Sequence, residues 1–262
     1  MKLKYFFVGI LFVPLFFQAC KKDDSNPASN QQQTIDAQRY YPGNVGSRFS
    51  YTNSPGNGIR NLTFTGTKSI GGVSYISQNS ISYVGLDSLN ATTYFRRTPD
   101  AVYFYIDTTG LMKFFPDSLK SLLTFNIDKE IIAFSSNLDK TKPWSAYKMD
   151  VKIANLANVN IIDLTANYLG DENMTLNLTS GQVTKAAKKI RYDFKLSVPN
   201  LSNLSSPTTR TFSANAWFAE DVGIVRLEGD ASVLGALGGG NINLGDTTKV
   251  ITQTITAYDI KP

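Results

Sequence analysis

Histidine is absent from all 262 residues, and cysteine occurs once, at Cys20. Without histidine there is no Ser-His-Asp relay and no Cys-His pair. Zinc sites built from His and Cys are excluded as well. A lone cysteine forms no intramolecular disulfide, so stability must come from packing and sheet hydrogen bonds. Glutamate is scarce too: Glu130, Glu172, Glu220 and Glu228 are four of the 21 acidic residues. A two-carboxylate glycosidase needs its pair held at a set spacing across a sugar bond. Many of the acids instead sit in turn-like contexts, among them Pro99-Asp100, Gly170-Asp171, Asp171-Glu172 and Glu220-Asp221. There, Asp side chains satisfy the local backbone. No Asp-x-Asp-x-Asp-Gly calcium loop occurs. Residues 235–245 are glycine-rich but lack a Gly-Lys-Ser/Thr ending, so they are expected as a connection before the last strand. No cofactor, no metal and no catalytic residue is expected.

Basic residues are not massed either. The nearest cluster is Lys185, Lys188, Lys189 and Arg191. Lys189 and Arg191 alternate with Ile190 and Tyr192, as on the wet face of a strand. Nucleic-acid binding has no footprint here.

What is present begins at the amino terminus. Lys2 and Lys4 precede an uncharged run over residues 5–17, rich in Phe, Leu and Val. As a helix that run spans about 20 Å, short of a hydrocarbon core about 30 Å thick. A basic start, a short apolar stretch and a small residue before a cut mark a secretion signal over residues 1–19. Phe17-Gln18-Ala19-Cys20 resembles a lipobox, in which cleavage between Ala19 and Cys20 exposes a cysteine that takes diacylglycerol and an amide-linked acyl chain such as palmitate. Phe17 and Gln18 depart from the usual residues. More than one acyl chain gives stable anchoring. Residues 20–36 are charged and then polar, the composition of a flexible tether. Lys21-Lys22-Asp23-Asp24 resembles the surface-export signal of Bacteroidota-type lipoproteins, which implies the outer membrane and its outward face.

Loss of Lys2 and Lys4 takes the formal charge from +5 to +3. Residues 37–262 are expected to form one antiparallel β domain. Apolar residues recur mostly with period two. Leu62 and Phe64 oppose Thr63 and Thr65, and Gly71-Gly72 suits a two-residue hairpin. A second hairpin crosses Thr98-Pro99-Asp100. Further strands are expected over 111–115, 122–127, 131–135 and 144–153. The alternation of Ile190, Tyr192, Phe194, Leu196 and Val198 is the clearest. Residues 200–209, with Pro207, are expected as a loop, 211–218 and 223–228 as a hairpin, and 250–260 as a final strand. A helical turn fits 117–123, and 182–187 fits either type. The sum is a mainly β fold with few short helices: about ten strands in a strongly curved antiparallel sheet, a half-barrel or barrel-like form.

Two stretches carry a resemblance. Tyr40-Tyr41-Pro42-Gly43-Asn44-Val45-Gly46-Ser47-Arg48-Phe49-Ser50-Tyr51 resembles the opening of many Bacteroidota-type lipoproteins, with Phe49 in place of the usual Trp. Trp217-Phe218-Ala219-Glu220-Asp221-Val222-Gly223-Ile224-Val225-Arg226-Leu227 resembles their hairpin near the carboxyl end. Those proteins are similar to the half-barrel carriers of lipoprotein sorting, where a curved sheet holds acyl chains. The resemblance implies turn-forming roles for Gly46 and Gly223. It also implies a concave apolar face with Phe49, Tyr51, Phe64, Tyr94, Phe104, Phe194 and Trp217 as lining candidates. Ordinary core packing is the alternative for each.

Three functions follow in order. First is a non-catalytic binding module for a glycan or protein, which exposed aromatics grouped on one face would support. Second is a carrier of an apolar ligand, requiring a deep groove. Third is a carboxylate hydrolase, requiring two close acids with opposed pKa shifts. Asp87-Ser88-Leu89, Asp107-Thr108-Thr109, Asp117-Ser118-Leu119 and Asp246-Thr247-Thr248 also resemble the O-glycosylation acceptors of the same bacteria.

Overall fold

In the computed structural model, the described residues are 35–262 apart from 57, 85–86, 109–120, 155–156, 201–202 and 238–249. The signal, Cys20, the strand at 111–115, most of the helical turn at 117–123 and most of the glycine-rich connection lie outside them.

Among the described residues, thirteen strands form one antiparallel sheet, curled as a half-barrel. They are β1 (Arg48–Ser54), β2 (Ile59–Ile70), β3 (Val73–Val84), β4 (Asp87–Arg97), β5 (Ala101–Tyr105), β6 (Leu123–Ile127) and β7 (Glu130–Ser135). Then come β8 (Trp144–Ile153), β9 (Ala157–Leu178), β10 (Gly181–Asn200), β11 (Asn203–Ala219), β12 (Gly223–Asp230) and β13 (Val250–Asp259). The spatial order is β6-β8-β9-β10-β11-β12-β13-β1-β2-β3-β4-β5-β7. The two edges, β6 and β7, are thus consecutive in the chain, joined only by Asp128 and Lys129. Two residues span well under 10 Å even when extended, so the sheet must curl until its edges nearly meet. The link is tied to both ends: Asp128 donates its N–H to Lys148 O at 3.0 Å, and Lys129 O accepts from Ile106 N–H at 2.9 Å. Side chains bridge the seam further. Trp144 Nε1 on β8 donates to Ile132 O on β7 at 3.2 Å, and the Tyr192 hydroxyl on β10 donates to Ala133 O. Carbonyls that would template another strand are thereby occupied.

The inward face is filled by the protein itself. Leu62, Phe64, Phe95, Phe104, Ile131, Leu164, Ile190, Tyr192 and Leu227 are almost fully buried. A 3₁₀ turn (Ala37–Tyr40) enters the curl, with its Ala37 N–H bonded to Pro99 O. It stacks Tyr40 on Phe134 with centroids 4.6 Å apart. Tyr41 follows, edge-on to Phe95 and Phe104. Its hydroxyl donates to the buried Gln78 Oε1 at 2.8 Å. A short helix α1 (Ala231–Leu237) after β12 buries Val233, Leu234 and Leu237.

The hairpins fall where turn chemistry placed them. Gly71 and Gly72 both take positive φ, and Thr98–Asp100 joins β4 to β5. Gly46 and Gly223 also take positive φ, at +98° and +101°. Two expectations need correcting. First, Gly170-Asp171-Glu172 is no turn but the interior of the 22-residue β9, where the register with β10 shifts beside Gly170. Second, residues 203–209 belong to β11 rather than to a loop. Residues 182–187, which fitted either type, are strand in β10, paired with β9. Pro207 is tolerated because β12 pairs only from Ala214 onward, so the chain near Pro207 has one neighbour and need not donate on both sides.

Candidate binding surface

The seven lining candidates separate into two groups. Phe49, Tyr51, Phe64, Phe104 and Phe194 are buried at 5% exposure or less and face inward. Phe49, Phe64 and Phe95 form a chain of ring contacts, with Tyr41 bridging to Phe104. Phe194 packs on Phe212 at 5.8 Å. Tyr51 spends its hydroxyl on Ile224 O. Tyr94 stands partly open on the outward face, and Trp217 stands on that face too but is buried at 4% exposure beneath its neighbours. Strand alternation gives the inward place beside Tyr94 to Phe95. Trp217 lies opposite Lys189 and Arg226, whose charged ends approach its ring at 4.8 and 5.1 Å. Its Nε1 donates to Glu172 Oε2 at 2.8 Å.

The two family-like stretches meet. Asp221 donates its N–H to Arg39 O, and Arg39 pairs with Glu220 at 2.7 Å and with Asp221 at 2.6 Å. A Cβ on Gly223 would sit 3.6 Å from Pro42. These motifs therefore act as a structural clasp between the entering chain and the β11–β12 turn.

A surface of different chemistry lies on the outward face of β2 to β5 and β7. Lys68 is the cross-strand partner of Tyr75, Ser77 of Tyr94, Arg96 of Tyr103, and Tyr105 of Glu130. Residues at alternate positions share a face, so Lys68, Tyr75, Tyr94, Arg96, Tyr103, Tyr105 and Glu130 form one row across five strands. Tyr105 meets Tyr75 at 5.6 Å and Tyr94 at 6.3 Å, both edge-on. The Arg96 guanidinium lies 3.7 Å from the Tyr103 ring centroid. Lys68 Nζ lies 4.7 Å from the centroid of Tyr94 and donates to its hydroxyl at 3.2 Å. Tyr75 is 4% exposed, whereas Tyr94, Tyr103 and Tyr105 stay partly open to solvent.

At the heart of the row is a fork. Arg96 Nε and Nη2 donate to the two oxygens of Glu130 at 2.6 Å each, and the Tyr75 hydroxyl donates to Glu130 Oε1 at 2.7 Å. Burial by itself would raise the Glu130 carboxyl, but these bonds from Arg96 and Tyr75 outweigh it and hold the group below its usual value. Burial, and then the bond to ionised Glu130, pushes Tyr75 up to about 12. Both groups are therefore fixed in one protonation state at neutral pH, as suits a rigid recognition element.

The row was missed because the period-two pattern assigns one aromatic face per strand. Tyr94-Phe95 and Tyr103-Phe104-Tyr105 break that pattern with rings on both faces, and that break was the available signal. Opposed carboxylate shifts do not occur among the described residues: Glu130, Asp139, Asp171, Glu172 and Asp221 all move downward. No group of three or more metal-ligating side chains occurs among the described residues either.

No family model matches the chain, and no curated protein matches it. Two crystal structures resemble it. One is from Parabacteroides distasonis and is provisionally described as a lipoprotein. It is 12% identical with a TM-score of 0.45, and the match covers 86% of this chain and 100% of that one. The other, from Bacteroides fragilis, is provisionally described as an exported protein with a YmcC-like fold. It is 9% identical with a TM-score of 0.45, and the match covers 85% of this chain and 100% of that one.

Proposed function

We propose that this chain is an outer-membrane lipoprotein, held by lipid on Cys20 and facing outward, whose β domain is a non-catalytic binding module. The observation that carries the binding reading is the tyrosine row, in which three partly exposed rings surround a fixed Arg96–Glu130 fork. Solvent-facing strand positions ordinarily carry small polar or charged residues. Grouped rings with hydroxyl tips supply rigid contact area and hydrogen bonds together. The inward face is occupied by Phe64, Phe95, Phe104 and their neighbours. The outward row, by contrast, keeps Tyr94, Tyr103 and Tyr105 partly open to solvent.

Two measurements test this. Palmitate labelling in the native host marks the wild type and not Cys20→Ser; a labelled variant overturns the anchor. A photo-crosslinking amino acid at position 94 or 105, activated on intact cells, gives an adduct absent from the same probe placed at position 195. Equal labelling at all three positions, or none, overturns the binding surface.

A further inference from the structure

Resting on the reading of the tyrosine row as a binding surface, we infer that its ligand is an acidic saccharide chain. Four tyrosines, Arg96, Lys68 and Glu130 share one face across β2, β3, β4, β5 and β7. Neighbouring strands stand about 4.8 Å apart, close to the length of one pyranose ring. Rings and hydrogen-bonding groups thus recur across the strands at a spacing that suits successive sugars.

The composition distinguishes sugar from protein. The centre of a protein–protein interface is depleted of charge and densely apolar. Here a charge sits against three of the four rings, Lys68 on Tyr94, Arg96 on Tyr103 and Glu130 on Tyr75, while Tyr105 packs edge-on to Tyr75 and Tyr94. Each ring carries a hydroxyl, and the Arg96 contacts to Glu130 engage Nε and Nη2 of its guanidinium. A sugar presents C–H faces to rings and many hydroxyls to polar edges, which matches this alternation. Two cations against one carboxylate leave the row at net +1, favouring a saccharide with its own carboxylate.

Binding to immobilised oligogalacturonate, alginate oligomers and neutral cello- and chito-oligosaccharides tests the inference, using the protein purified in detergent from its host. The expected result is binding to the acidic oligomers, weakened at least tenfold by the double variant Tyr94→Ala/Tyr105→Ala. Arg191→Ala on the other half of the sheet leaves it unchanged. Lys68→Ala reduces the preference for acidic over neutral oligomers. Should the double alanine variant fail to fold, Tyr103→Phe/Tyr105→Phe removes only hydroxyls, and a severalfold loss is expected. No binding to any oligomer, binding to the neutral oligomers only, or binding unaffected by these variants overturns the inference. In those cases the crosslinks at positions 94 and 105 separate the failures. A protein adduct there retains the binding surface without the sugar, and no adduct removes both.

Discussion

The outward faces of the two halves of this sheet solve the same problem differently. On β9 to β12 the surface carries ion pairs: Lys189 with Glu172 at 3.3 Å, Arg191 with Asp193 at 2.9 Å, and Arg226 with Glu228. On β2 to β5 it is a row of tyrosines around one fork, Arg96–Glu130, whose side chains are only 26% and 19% exposed. Exposed pairs add little because water and salt screen them, whereas a half-buried fork carries real cost if broken. Away from the buried Trp217, the first half is a solvated skin, and the second holds a fixed arrangement at some electrostatic expense.

The largest effect is expected from Arg96→Ala. It strands Glu130 half-buried and uncovers Tyr103, so urea unfolding should show a loss of about 3 kcal/mol. An effect no larger than that of a surface pair would erase the contrast. Tyr192→Phe comes next, because it leaves the buried Ala133 carbonyl unsatisfied across the seam that joins the halves; a loss of about 1–3 kcal/mol is expected. Acid titration sharpens the contrast further. The folded state holds Glu130 below its unfolded pKa, so its contribution is complete above the unfolded value and is lost as pH falls through the folded one. Glu130→Gln should flatten that part of the acid-unfolding curve, at the cost of lower stability at neutral pH. Arg191→Ala should be the mildest, within about 0.5 kcal/mol, with its effect fading in high salt.

Much of the sheet was legible in the chain because strand alternation, Gly71-Gly72 and Thr98-Pro99-Asp100 act locally. Ile190, Tyr192 and Phe194 are inward as their spacing required. The failures were at places where neighbours decide. Gly170-Asp171 has turn chemistry, but β10 pairs on both sides of it and turns the glycine into a register shift. Pro207 has loop chemistry, but only one side of β11 needs hydrogen bonds there. Helix α1 has no helical stripe long enough to announce itself, and forms with its apolar residues packed into the core beside β11, β12 and β13.

The sequence by itself determined the period of the strands, the hairpin positions and the chemistry that a chain without histidine can and cannot do. Each is set within a few residues by backbone geometry or residue type. The curl was decided only in three dimensions, because a two-residue link between β6 and β7 forces edges together that no local pattern identifies as edges. So was the tyrosine row: its members come from five strands, and only the register between those strands brings Lys68, Tyr75, Arg96 and Glu130 onto one face.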